Sequence, residues 1–110
     1  MHVASPLRGV FPVFQTPYLD DESIDWRTLE REIDWLFRSG ANGVVMAMVS
    51  EVLRLDASER REMAEQVVSF AAGRGAVIVS VGAESSRVAE DNARHAADAG
   101  AAAVMAIPPV

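Results

Sequence analysis

Not one of the 110 residues is a cysteine, and not one is a lysine. The first absence excludes a disulfide framework and thiolate chemistry within these residues. With only two isolated histidines, His2 and His95, there is no ligand set for a structural zinc either. The second absence makes all ten basic residues arginines, set against sixteen carboxylates for a formal charge of -6. That balance opposes binding to a phosphate backbone, which needs clustered positive charge. Long apolar runs are missing as well, since none approaches the roughly 18 residues that cross a bilayer. Residues 1–9 hold no signal-peptide core. No metal, cofactor, nucleic acid or membrane is therefore expected, and a cytoplasmic setting is the default.

What is present is an ordinary globular balance, with 50% apolar residues, enough to bury a core. Short β-type runs occupy residues 10–16, 43–49, 76–82 and 101–107. The interiors Val44-Val45-Met46-Ala47-Met48 and Val77-Ile78-Val79-Ser80-Val81 are nearly continuous apolar stretches, as in parallel strands covered on both faces. Amphipathic helices separate them. In the first, Trp26, Leu29, Ile33, Leu36 and Phe37 recur at helical spacing opposite Arg27, Glu30, Arg31, Asp34 and Arg38. Ser23 or Asp25 is placed to cap it, and Gly40 to end it. The second opens at Asp56 with Glu59 set to complete a capping box, carries Met63, Val67 and Ala71 inward, and closes at Gly73. The third starts near Ser85 or Ser86 and presents Val88, Ala89, Ala93, Ala96 and Ala97 up to Gly100.

A faint internal echo supports the alternation. Ser39-Gly40-Ala41 and Ala99-Gly100-Ala101 each place a helix-ending glycine just before an apolar run. Strand starts about 25–33 residues apart suit βαβ steps. The expected fold is α/β, with about four parallel strands, three helices and right-handed crossovers. Two architectures fit, a partial (β/α)8 TIM barrel (a half-barrel) or a small doubly wound sheet. A whole barrel takes about 250 residues. The sequence also ends flush with the fourth β-type run, which favours residues 1–110 as a barrel portion truncated after its fourth strand.

In either architecture chemistry gathers at the carboxyl ends of the strands. Thr16-Pro17 there is either a plain strand stop or a pocket lining. Glu51 is either a surface carboxylate or a buried brace for the turn after the second strand. Ser50 offers a hydroxyl to a substrate carboxylate, but no neighbouring base equips it as a nucleophile. Gly82-Ala83 is a rim loop, not a phosphate loop, because no GxGxxG or Walker pattern occurs. His95, among Asp91, Arg94 and Asp98, is expected to be a solvated helix position. The run Asp20-Asp21-Glu22 reads as an acidic loop that complements a helix dipole.

At these segments the chain resembles the dihydrodipicolinate synthase/N-acetylneuraminate lyase family, N-terminal half only. The resemblance is carried by Gly9-Val10 through Thr16-Pro17, by Ser39-Gly40, and by Glu51-Val52-Leu53-Arg54-Leu55 leading to Ser58-Glu59-Arg60. Val79-Ser80-Val81-Gly82 and Ala99-Gly100-Ala101 to Pro108-Pro109 also match. The resemblance implies a lyase or class I aldolase scaffold, in which a lysine on the sixth strand forms a Schiff base with pyruvate or another 2-keto acid. A tyrosine on the fifth strand relays protons. Neither strand falls within these residues, so no catalytic residue is expected here. Thr16, Ser50 and Glu51 would line or brace the substrate pocket. Where the family has Gly-Thr-Thr-Gly-Glu, this sequence has Met48-Val49-Ser50-Glu51, one residue shorter. An imine needs a side-chain primary amine, which arginine does not supply at neutral pH. The isolated chain is thus expected to be inactive, its parent a homo-oligomer acting on a small 2-keto acid. A self-associating, non-catalytic half-barrel and a flavodoxin-like binding module are the alternatives.

Overall fold

The structure, a computed structural model, describes residues 7–47 and 54–106. Its elements run α1 (Trp26–Arg38), β1 (Gly43–Met46), α2 (Ala57–Ala71), β2 (Ala76–Ser80), α3 (Ser86–Ala99) and β3 (Ala103–Met105). The three strands form one parallel sheet in chain order, with Val44 beside Val77 and Val79 beside Val104.

The first β-type run, residues 10–16, lies along the outer edge of β1. It makes a parallel bridge from Val13 to Val45, with Val45 N–H donating to the Pro12 carbonyl and Phe14 N–H to the Val45 carbonyl. It falls short of a full strand because Pro12 has no N–H to give the ladder. The run at 101–107 contracts to β3, and residues 48–49 and 107 lie outside the described residues.

Each helix begins and ends where local chemistry dictates. Asp25 caps α1 by accepting from the Thr28 N–H and hydroxyl. At its far end Gly40 has φ +104°, and the N–H groups of Gly40 and Ala41 bond back to the Phe37 and Leu36 carbonyls. This paired closure satisfies two otherwise orphaned acceptors. Asp56 and Glu59 complete a reciprocal capping box on α2. Ala72, rather than Gly73, is the left-handed cap that ends α2. The acidic run before α1 is a tight turn, in which the Asp21 carboxylate accepts from both the backbone and the hydroxyl of Ser23.

Because strand order follows chain order, crossovers of one hand place every helix on the same face of the sheet. The core agrees. Val44, Met46, Val77, Val79 and Val81 join Leu29, Ile33, Met63, Val67 and Ala96 in one buried cluster. The alternate positions Val45 and Ile78 therefore face the other way. A doubly wound sheet would reverse its strand order and cover both faces. The flavodoxin-like alternative is thus overturned by the order of the described strands. Among the described residues nothing pairs with the outer edge of β3, where Val104 and Met105 are exposed.

The alanine face expected of α3 is largely wet. Only Ala96 is buried, Ala89 and Ala93 are half-buried, and Val88 and Ala97 are exposed. Polar ties join the layers instead. Arg74, just past α2, donates to Asp34 on α1 at 2.7 Å and lies 5.0 Å from the Phe37 ring centroid. The hydrogen bond from Arg74, aided by the charge of Arg38, holds the Asp34 carboxyl below the usual carboxylate range. His95 is not the solvated residue expected from its neighbours. It is half-buried, and its Nε2 sits 2.9 Å from Glu65 Oε2, bridging α3 to α2.

Met63→Ala is expected to lower stability by about 2–5 kcal/mol, the range for truncating a filled core position. Val88→Ala should stay within about 0.5 kcal/mol, as an exposed site does. Denaturant unfolding of the two variants checks this, and similar losses would contradict the assigned core.

Candidate functional site

The carboxyl ends of the parallel strands bring together Thr16, Ala47, residues 81–85 and Ala106 among the described residues. Thr16 is buried, at 9% exposure, where the first segment leaves the edge of β1. Pro17 follows, and its carbonyl accepts from Asp25 N–H, so the chain turns directly from this end into α1. Ser50 and Glu51, the other two candidate pocket residues, lie outside the described residues.

The best-defined part of this end belongs to β2. Three successive carbonyls, those of Ser80, Val81 and Gly82, each accept from a side chain on a helix. Arg60 Nη2 donates to Ser80 O at 3.2 Å and to Gly82 O at 3.1 Å. Asn92 Nδ2 donates to Val81 O at 3.4 Å. The Val81 N–H pairs with Met105 O, so the strand end is held both by β3 and by α2 and α3. Arg60 is half-buried, and desolvation pulls its pKa below the usual arginine value. Arg60, Ser80 and Asn92 line a small hollow of about 10 Å³ together with Arg61, Ala64, Val79 and His95.

Neither Arg60 nor Asn92 stood out as a functional residue in the sequence, although a signal was there. Arg60 lies three and four residues before Met63 and Ala64, on the buried stripe of α2. Asn92 lies four before Ala96, the buried residue of α3. A polar residue on a buried stripe needs a polar partner, and here the partner is the strand end.

The Ser80 hydroxyl is buried at 2% exposure and has no hydrogen-bond partner among the described residues. On the opposite flank, Glu32 of α1 accepts from the Gln15 N–H at 2.9 Å, and partial burial pushes its pKa up. The larger hollow, about 270 Å³ and lined by Val10, Pro12, Trp35, Leu36 and Gly40, sits at the amino end of the first segment. It is therefore away from the end where barrel and doubly wound folds carry chemistry.

The profile of the Dihydrodipicolinate synthetase family matches residues 6–110. The 4-hydroxy-tetrahydrodipicolinate synthase of Methanococcus vannielii is 36% identical over 104 residues, covering 94% of this chain and 36% of that protein. The N-acetylneuraminate lyase of Rhizobium meliloti is 35% identical over 104 residues, covering 94% of this chain and 35% of the lyase. A crystal structure of dihydrodipicolinate synthase from Acinetobacter baumannii, complexed with pyruvate, matches with a TM-score of 0.89 at 28% identity. That match covers 94% of this chain and 36% of the synthase. The chain thus spans about a third of the length of the relatives it matches. The sheet and its one-sided helices are a partial barrel of that fold.

Ser80→Ala removes an unpaired buried hydroxyl and is expected to leave thermal stability unchanged or to raise it by about 1 kcal/mol. A loss of that size on calorimetry would show that the hydroxyl has a partner in solution.

Proposed function

Because this chain belongs to the dihydrodipicolinate synthetase family, we propose that residues 1–110 are the N-terminal portion of a Schiff-base lyase or aldolase acting on pyruvate or a related 2-keto acid. The proposal extends to inactivity of the 110 residues alone. The observation that carries it is the pairing of a family scaffold with the absence of any lysine. In imine chemistry a neutral amine adds to the keto carbon, water leaves, and the protonated imine accepts the electrons of a breaking C–C bond or C–H bond. Arginine keeps its proton at neutral pH and does not serve as that amine. The amine would come from a later strand of a longer protein.

In this reading the present residues build one wall of the pocket. Thr16 closes the end of the first segment, Ser50 offers its hydroxyl to the substrate carboxylate, and Glu51 braces the turn that carries Ser50. The missing glycines around Ser50 reduce backbone N–H approach to that carboxylate, which favours a keto acid other than the usual one. The pyruvate bound in the Acinetobacter baumannii synthase supports the substrate class.

A second reading is favoured by the open sheet edge. Val104 and Met105 are 44% and 43% exposed on β3, and Val13 is 49% exposed on the far edge. Unpaired edges with apolar side chains invite pairing, so the 110 residues alone would self-associate. Sedimentation distinguishes this from a compact monomer.

Methyl-proton exchange of pyruvate in D2O reads imine and enamine formation directly. The 110-residue chain is expected to give only the buffer rate, whereas a protein continuing it with a lysine-bearing barrel remainder should exchange rapidly and trap pyruvate on borohydride reduction. Exchange above buffer by the 110 residues overturns the inactivity. A lysine-bearing continuation that traps no pyruvate overturns the Schiff-base assignment.

A further inference from the structure

We propose that Arg60 and Asn92 are positioning residues that hold the rim loop 82–85 of the keto-acid pocket in place from the helix side. The assignment of that rim to a pocket rests on the function proposed above, while the brace itself rests on geometry alone. A strand at the end of its ladder leaves carbonyls that must find donors or water. At β2 three consecutive carbonyls are taken by two side chains from two helices. The loop that follows links this strand end to Ser85, whose hydroxyl caps α3 through the Val88 N–H. Residues 82–85 are therefore tethered at the strand by Arg60 and Asn92, and at the helix by Ser85.

Arginine suits this task. Its guanidinium carries several donors in a rigid plane, so one terminal nitrogen reaches two carbonyls two residues apart. It spends a full charge on neutral acceptors, and among the described residues it has no carboxylate partner. Charge-assisted hydrogen bonds in a partly desolvated place are stronger than neutral ones. The capping box at Asp56 and Glu59 fixes the first turn of α2, from which Arg60 projects. Helix start, arginine and strand end thus form one continuous linkage. Asn92 adds a longer, weaker contact between the other two.

Amide hydrogen exchange on the 110-residue chain, with Arg60→Met, Arg60→Lys and Asn92→Ala, tests the brace. In Arg60→Met, exchange at the hydrogen-bonded amides that flank the rim loop, Val81 N–H on Met105 O and Val88 N–H on Ser85 Oγ, is expected to quicken by on the order of tenfold or more, while amides 77–79 inside β2 change far less. Arg60→Lys keeps a charged donor without the guanidinium plane and should restore part of the protection. Asn92→Ala should give a smaller effect confined to the same amides. If Arg60→Met does not fold, the lysine and alanine variants decide between loop-restricted acceleration and none. An unchanged rim, equal acceleration of rim and strand interior, or no rescue by lysine would each overturn the proposal. None of these readouts depends on imine trapping, so failure of the brace and failure of the proposed function leave different signatures.

Discussion

The interaction on which everything else rests is the packing of one alternate set of strand residues against three helices on a single face. Parallel neighbours can be joined only by a crossover, and the crossover must bury its apolar stripe somewhere. Here Leu29 and Ile33 of α1, Met63 and Val67 of α2, and Ala96 of α3 all enter the same cluster beneath Val44, Met46, Val77 and Val79. The remaining strand positions face the concave side, where Val45 is already covered at 5% exposure and Ile78 is half-buried. That asymmetry makes the sheet a piece of barrel wall. It also sends the strand ends, and any chemistry they carry, to one rim.

The polar contacts follow from that geometry. Helices stacked side by side over a sheet need ties at their ends, and this chain makes them almost entirely with arginine and carboxylate. Arg74 joins the end of α2 to Asp34 and to the Phe37 face, and His95 joins α3 to Glu65. Arg60 differs from these, since its partners are main-chain carbonyls at the carboxyl end of β2. Exclusive use of arginine leaves the cations well suited to bracing and unable to attack a carbonyl. The same composition supports the scaffold and, under the proposed imine chemistry, withholds the nucleophile.

Much of this was legible in the residues because it is local. The stripe of α1, the capping box of Asp56 and Glu59, and Gly40 and Gly100 as helix ends need only near neighbours to be read. Misreadings came where a distant partner decided. His95 looks solvated among Asp91, Arg94 and Asp98 until α2 brings Glu65 beside it. The alanine face of α3 looks buried, yet only Ala96 is fully so, with Ala93 packed half-buried against the core. Pro12 weakens the first strand to a bridge, a cost that periodicity does not register. Of the candidate site, Thr16 sits at the expected strand end, whereas Ser50 and Glu51 fall outside the described residues. Arg60 and Asn92 were readable only as polar residues interrupting an apolar stripe.

The most direct test of the one-sided core is a set of methyl-to-methyl nuclear Overhauser contacts in solution. Met63 and Val67 of α2 should show contacts to Val77 or Val79, and no helix methyl should approach Ile78 or Val45. Helix contacts to Ile78 or Val45 would mean that both faces are covered, and the barrel-wall account would be wrong.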